Sequence, residues 1–342
     1  MKTIVISGAR SHIGKTTLAR QLLSILPDAA AVKIGHGQLK EGKSERLYPA
    51  GTSFDTIASE YARISYLIIE SNSLLKEFSP DLAIYLEGNE QKPSAELARQ
   101  KSDIISGKPL QTGMLAAIAA RLDISEKIAR KIAWLSAARP SPASAIILAG
   151  GKSRRMGTDK SRLVVGGMPV LVRLEKMLAP FFDELIVSAS PGGHDTAGSM
   201  RIVEDTHEDR GPLMGITCAL RESKTEINFV IACDIPDLHL PLLWQLLSES
   251  EDYDIAVPSF KKGLLEPLFG MYKRHVISEA QQLLDNGIRR VRALYDKYPT
   301  SIMPVHYNSW YTNLNTPREL KNYIRRQASG SSNRLIAQKE IA

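Results

Sequence analysis

Short apolar runs alternate with longer stretches whose apolar positions recur every three or four residues, almost from end to end of the chain. That alternation predicts strands and helices in turn, an α/β organisation with largely parallel sheets. Strands are expected over residues 3–6, 31–34, 66–69, 82–86, 145–148, 202–204 and 229–232. Residues 138–144 are rich in Pro and Ser and poor in apolar side chains, and read as a linker. The pattern therefore predicts a first domain over 1–137, a second over 145–328 and a mobile polar tail over 329–342. Between 110 and 135 the apolar spacing predicts one helix, or two with a break near Asp123 to Ser125. This segment reads as a helical cap or connector packed on a domain. Its middle also has the look of a helix-turn-helix, but no clustered basic face accompanies it, so no nucleic-acid partner is expected.

Composition narrows the classes. At 342 residues, 43% hydrophobic and 24% charged, the chain has room for two buried cores and is not disordered or fibrous. Lys and Arg exceed Asp and Glu by 44 to 37, a net charge of +7. So mild an excess suits anionic ligands such as nucleotides, and equally a solvated surface. Two cysteines, Cys218 and Cys233, make no disulfide framework; they read as packing residues of a protein in a reducing compartment. The opening MKTIVISGAR lacks the charged and apolar regions of a signal peptide, and no apolar stretch is long enough to span a bilayer. A cytoplasmic protein with no membrane partner is expected.

The first chemical signal follows the first strand. Gly8-Ala9-Arg10-Ser11-His12-Ile13-Gly14-Lys15-Thr16-Thr17 has the G-x-x-x-x-G-K-[ST] spacing of a phosphate loop, between a strand and an apolar-periodic helix. Gly8 and Gly14 let backbone N–H groups turn in around a phosphate. Lys15 adds a point charge, Thr16 offers a hydroxyl to Mg²⁺, and the helix running on through Thr17 aims its positive end at the anion. A carboxylate from a neighbouring strand end should complete the metal site. Glu70 and Glu87 both stand at such ends; Glu70 is preferred because the Ser-Asn-Ser after it reads as an active-site loop. His36, in the loop after the second strand, reads as a surface residue or a phosphate contact.

The second signal follows the strand at 145–148. Leu148-Ala149-Gly150-Gly151-Lys152-Ser153-Arg154-Arg155-Met156-Gly157-Thr158-Asp159-Lys160 is a glycine-rich turn lined with cations. The glycines let a nucleotide approach the backbone, and Ser153, Arg154, Arg155 and Lys160 can cradle a polyphosphate. Gly150 serves either that approach or a positive φ. Asp234 ends the apolar strand 229–232, where open α/β sheets hold ligands, and suits Mg²⁺; the alternative is a helix N-cap. Thr316-Pro317-Arg318-Glu319 is a capping box, so Thr316 starts the last helix and leaves Asn313 and Asn315 on the loop before it.

This second region resembles the molybdenum cofactor guanylyltransferases, the MobA family. Their signature LAGGxSRRMGxDK is matched at 148–160. In order there follow Val203-Glu204-Asp205, the Gly211-Pro212-Leu213-Met214-Gly215 loop, Cys233-Asp234-Ile235-Pro236, Pro267-Leu268 with Tyr272, and Asn313-Leu314-Asn315-Thr316-Pro317. The likeness spans about 145–325. It implies a Rossmann-like nucleotidyltransferase domain that joins GMP from GTP to molybdopterin and releases pyrophosphate. It further implies that Leu148, Ala149, Gly150, Gly151, Ser153 and Arg154 bind the nucleotide and that Lys160 binds its phosphates, with Lys160, Arg155 and Asp234 catalytic. By the same likeness Asp205 contacts the guanosine, Asp234 holds Mg²⁺, and Asn313 and Asn315 face the pterin. Ser190 stands where the family often has N-x-N and is carried over as a nucleoside contact. Tyr311-Thr312 departs from the family's apolar-aromatic pair, which leaves the pocket's shape open.

The first region resembles the MobB family of small P-loop proteins, through the phosphate loop, Lys33-x-x-His36 and Leu86-Glu87-Gly88. The whole thus reads as a P-loop NTPase-like α/β domain followed by a Rossmann-like transferase domain. Other proteins of molybdenum cofactor synthesis or molybdoenzyme apoproteins are its implied partners. Molybdopterin cytidylyltransferases and sugar-1-phosphate nucleotidyltransferases are an alternative; their loops tend to read L-A-A-G, so Gly150 favours guanine. A P-loop adaptor whose second domain binds nucleotide without turnover is another.

Overall fold

The computed structural model describes residues 1–11, 13–35, 46–88, 93–150, 163–192, 200–207, 211–260, 263–305 and 311–328. The chain divides into two compact units, Met1–Pro140 and a second that begins at Ser141.

In the first unit β1 (Lys2–Gly8), β2 (Ala29–Ile34), β3 (Arg46–Tyr48), β4 (Tyr66–Glu70), β5 (Leu82–Leu86) and β6 (Ile104–Ile105) form a sheet ordered β3-β2-β4-β1-β5-β6. Every pairing in it is parallel. Such a sheet is covered on both faces, which is why its strands are continuous apolar runs. Ile4 and Ile6 of β1 face α1 (Lys15–Ile25), α4 (Met114–Leu122) and α5 (Glu126–Leu135) through Leu18, Leu22, Ile118, Leu122, Ala129 and Ile132. Val5 faces the other way, with Ile57 of α2 (Phe54–Glu60) and Ala95 and Ala98 of α3 (Pro93–Gln100). The segment 110–135 is thus two helices, packed on their own unit's sheet. Asp123, at φ 56°, ends α4 in the left-handed region, and the Ser125 hydroxyl caps α5 by accepting from the Ile128 N–H.

The second unit holds β7 (Ala143–Leu148), the small hairpin β8 (Val164–Val165) and β9 (Met168–Pro169), β10 (Glu184–Ala189), β11 (Arg201–Glu204), β12 (Ile227–Ala232), β13 (Ile255–Phe260), β14 (Leu264–Leu265), β15 (Phe269–Lys273) and β16 (Thr300–Pro304). The main sheet runs β11-β10-β7-β12-β15-β13-β14, with β16 beside β13. β11, β10, β7 and β12 are parallel; β15 runs against β12 and β13. One face is covered by α7 (Pro212–Glu222) and α9 (Ile277–Asp285), through Leu213, Ile216, Leu220, Ala280 and Leu283. α6 (Val170–Leu178) and α8 (Leu240–Ser248) pack against β7 and β12, and α10 (Pro317–Ala328) follows the last loop.

One boundary differs from the sequence reading. Ala143 and Ser144, placed in the linker, are the first residues of β7. The Ala143 N–H donates to Asp183 Oδ2, and the buried Ser144 hydroxyl is satisfied by Thr225 Oγ1 at 2.8 Å and Glu184 Oε2 at 3.2 Å. Polar partners inside the fold let a serine extend a buried strand.

Candidate active site

The four parallel strands of the second unit end on one edge, and the loops leaving them bring the polar residues together. The ladder runs one residue past β7: Ala149 N–H donates to Ser188 O at 2.8 Å, while Leu148 O accepts from Cys233 N–H at 3.0 Å. Leu148 and Ala149 are thereby buried in the strand end. Gly150 comes next and lies against the ends of β10 and β11. A Cβ there would sit 3.3 Å from Ser190 N and 3.4 Å from both Ser190 Oγ and Asp205 Oδ2. Gly150 is not among the glycines of positive φ, so close approach, and not backbone conformation, accounts for it.

Asp205 is held from two sides. Its N–H donates to Ala189 O at 2.8 Å, and its Oδ1 accepts from the buried Ser188 hydroxyl at 3.1 Å. Gly215 of α7 lets the helix close on this pair, since a Cβ there would meet Ser188 Oγ at 2.6 Å and Asp205 Oδ1 at 3.4 Å. Burial raises the Asp205 carboxyl from 3.8 to about 6, only partly opposed by the Ser188 hydrogen bond. The sequence pattern gives Ser188 no mark as a site residue, and Gly215 only a place in a motif. A glycine inside a helical pattern is the signal that marks such a close approach.

Asp234 leaves β12 through a turn in which Ile235 N–H donates to Ala232 O. It is not an N-cap: α8 begins six residues later, capped by the His239 ring. Asp234 O accepts from Leu314 N–H at 2.8 Å, which seats the loop before α10 on this strand end. On that loop Asn313 Nδ2 donates to the Tyr311 hydroxyl at 2.7 Å, and the hydroxyl donates to Glu266 Oε2. The Tyr311 ring stacks on Phe260 with centroids 4.4 Å apart. Asn315 turns its N–H to Glu319 Oε2, and Thr316 caps α10 by accepting from Glu319 N–H. Gly150, Ser190 and Asp205 are thus brought together, and Asp234 is joined to Asn313 through Leu314. Gly151, Ser153, Arg154, Arg155 and Lys160 lie outside the described residues.

The first unit carries its own loop, between β1 and α1. Asn72 brackets Gly8: its Oδ1 accepts from Gly8 N–H at 3.0 Å and its Nδ2 donates to Gly8 O at 2.8 Å. Gly14 is left-handed at φ 98° where α1 begins, and Lys15 Nζ donates to Arg10 O at 3.0 Å. Thr17 continues the first turn of α1. Thr16 Oγ1 donates to Glu70 Oε2 at 3.0 Å, and Lys33 Nζ stands 4.0 Å from the same oxygen. The other candidate, Glu87, is held instead by Arg99 Nε at 3.1 Å. His36 lies outside the described residues.

Residues 145–300 match the family model of the MobA-like NTP transferase domain. A probable molybdenum cofactor guanylyltransferase of Natranaerobius thermophilus is 36% identical over 193 residues, covering 52% of this chain and 93% of that protein. The chain belongs to the molybdenum cofactor guanylyltransferase family. It is a nucleotidyltransferase. A further probable molybdenum cofactor guanylyltransferase, from Pelotomaculum thermopropionicum, is 33% identical over 52% of this chain and 90% of its own. Among solved structures, molybdopterin-guanine dinucleotide biosynthesis protein A of Archaeoglobus fulgidus aligns with 54% of this chain and 99% of its own, at 22% identity and a TM-score of 0.48. No helix among the described residues is long and apolar enough to cross a membrane.

Proposed function

We propose that the second unit transfers GMP from GTP to molybdopterin, forming the guanine dinucleotide and releasing pyrophosphate. The observation that carries this reading is the close meeting of Gly150, Ser190 and Asp205 at the ends of β7, β10 and β11. There a half-desolvated carboxylate, Asp205, faces a glycine edge. Guanine offers two adjacent donors, N1–H and the exocyclic amine, and a carboxylate accepts both. Cytosine lacks that pair, so its binding would leave the site's acceptors unpaired. Transfer of this kind needs in-line placement and neutralised charge, with little covalent help from the protein. Gly150, Ser190 and Asp205 hold the nucleoside, Lys160, Arg154 and Arg155 meet its phosphates, and Asn313 and Asn315 face the incoming pterin. Asp234 stands between the two substrates.

Among the described residues no cluster of three or more His, Cys, Asp or Glu could hold a metal unaided. A carboxylate at a strand end nevertheless fits Mg²⁺, which takes one or two carboxylates and fills its shell with phosphates and water. When bound, Mg²⁺ supplies charge neutralisation at the transferring phosphate. Asp234 would hold it in the second unit, and Thr16 with Glu70 in the first. We further propose that the first unit is a GTP-binding, P-loop accessory domain of the MobB kind. Its tether raises the effective concentration of each unit for the other.

The test is incubation of the purified chain with GTP, Mg²⁺ and molybdopterin, followed by mass analysis. The molybdopterin guanine dinucleotide is the expected product. A cytosine dinucleotide formed in preference from mixed GTP and CTP overturns the choice of base, and no dinucleotide at all overturns the reaction.

A further inference from the structure

The strand order lays the second unit's edge out in sequence. Gly150, Ser190 and Asp205 follow β7, β10 and β11 on one side of Asp234, which follows β12. Glu266 and Tyr311 lie on the other side, where β15 and β13 continue the sheet. Glu266 precedes β15, and Tyr311 stacks on Phe260 at the end of β13. A nucleoside at Asp205 leaves this second group for the other substrate.

Its hydrogen bonds have a single possible polarity. Glu266 Oε1 accepts from Leu268 N–H at 3.1 Å, and its Oε2 accepts from the Tyr311 hydroxyl. A tyrosine has one O–H proton to give. Burial, and then the Glu266 carboxylate, push the Tyr311 phenol well above its ordinary value, so that proton stays in place. The Tyr311 oxygen can then only accept from its other neighbour, and Asn313 Nδ2 donates to it at 2.7 Å. An amide that turns its NH₂ to Tyr311 turns its carbonyl away. Asn313 Oδ1 is buried and has no hydrogen-bond partner among the described residues. Buried polar atoms are nearly always paired, so this orphan at the substrate edge calls for a partner, and a bound substrate can supply it.

We propose that Glu266 and Tyr311 are positioning residues that fix the Asn313 amide, so that its carbonyl accepts a hydrogen bond donated by the second substrate. On the reading above, that substrate is a pterin, whose ring N–H and amino groups are donors. The inference rests on that reading and adds the polarity of recognition. A substrate offering only acceptors at this point is rejected, because Asn313 cannot turn without leaving Tyr311 unpaired.

The test is steady-state kinetics on the full chain with GTP and molybdopterin. Tyr311→Phe keeps the ring on Phe260 and removes only the hydroxyl. Glu266→Gln offers an N–H to Tyr311, which frees the tyrosine proton for Asn313 and turns the amide round. Each should raise the KM for molybdopterin about tenfold, with kcat and the KM for GTP within about twofold of wild type. Asn313→Ala should raise it similarly, and adding Tyr311→Phe to Asn313→Ala should change nothing further. A wild-type KM for molybdopterin in Tyr311→Phe, additive effects in the double variant, or an equal rise in the KM for GTP overturns the positioning role while leaving the reaction standing. A wild-type chain that forms no dinucleotide overturns the reaction, and this inference with it.

Discussion

Ser188 donates its hydroxyl to Asp205 across the ends of β10 and β11, 3.1 Å from Oγ to Oδ1, and α7 closes over the pair at Gly215. The hydroxyl meets one carboxylate oxygen and leaves Oδ2 towards the Gly150 edge. Burial raises this carboxyl to about 6, against an ordinary 3.8. A carboxylate that must be ionised to accept from guanine therefore loses its charge just below neutrality.

Two outcomes follow for Asp205. Affinity for GTP should fall as the pH drops through about 6, and Asp205→Asn should lower affinity roughly 10- to 100-fold and flatten that part of the profile. The stability effect has the opposite sense. Because the folded value is raised, Asp205 contributes stability that is present below about pH 4 and lost as the pH rises through 6. Asp205→Asn should thus melt higher than wild type at pH 7 and equally at pH 4. Paired melting curves and a binding titration check both. A GTP affinity in Asp205→Asn still titrating near pH 6 would assign the proton elsewhere.

Gly150 separates space from base choice. Its φ gives alanine no strain, so Gly150→Ala tests only the 3.3–3.4 Å approach to Ser190 and Asp205. The added methyl presses on Asp205, the carboxylate proposed to read guanine. We expect kcat/KM for GTP to fall about tenfold or more, and that for CTP to change much less. Equal losses would make the turn a matter of backbone packing alone.

How far the sequence speaks for this site depends on the range of each contact. β1, its glycine loop and α1 are written locally, as a β-branched run, two glycines and an apolar-periodic helix. So are β12 and Asp234, and the capping box at Thr316. The choice between Glu70 and Glu87 is not local. Both stand at the ends of strands that flank β1, and only the folded positions give Thr16 to Glu70 and Arg99 to Glu87. Ser188 reads as an unremarkable polar residue until the register of β10 on β7 sets it opposite Leu148, beside Asp205. Glu266 and Tyr311 meet across 45 residues of chain. Ser144 looks like linker for the same reason, since its partners Glu184 and Thr225 lie 40 and 81 residues away.

Asp234 is the carboxylate placed between the two proposed substrates. Asp234→Asn preserves the backbone bond from Leu314 N–H, which uses Asp234 O, so the loop before α10 should stay seated. On the proposed role, removing the charge takes away the Mg²⁺ ligand at the transferring phosphate. We expect kcat to fall about a thousandfold with the melting temperature within a few degrees of wild type. Turnover within a few-fold of wild type would remove the metal from this position.

The first unit gives the last prediction, because Glu70 admits two roles that binding can tell apart. Its side chain is only 3% exposed, with Thr16 Oγ1 at 3.0 Å and Lys33 Nζ at 4.0 Å. A buried carboxylate so partnered is either a structural anchor for the start of α1 or a carboxylate that serves Mg²⁺ beside the phosphates. Glu70→Gln keeps the size and an oxygen for Thr16 but removes the charge. If Glu70 serves the metal, the variant should bind nucleotide with Mg²⁺ about tenfold more weakly, while binding in EDTA stays near wild type. Thr16→Ala should behave alike, and Lys15→Ala should weaken both if its charge meets the phosphates as proposed. Calorimetry on the full chain reads this as one of two nucleotide sites lost, with GMP transfer in the second unit unchanged. If Glu70 is an anchor, Glu70→Gln should weaken binding with and without Mg²⁺ equally and lower the melting temperature, because a charge-assisted hydrogen bond inside the fold is replaced by a neutral one.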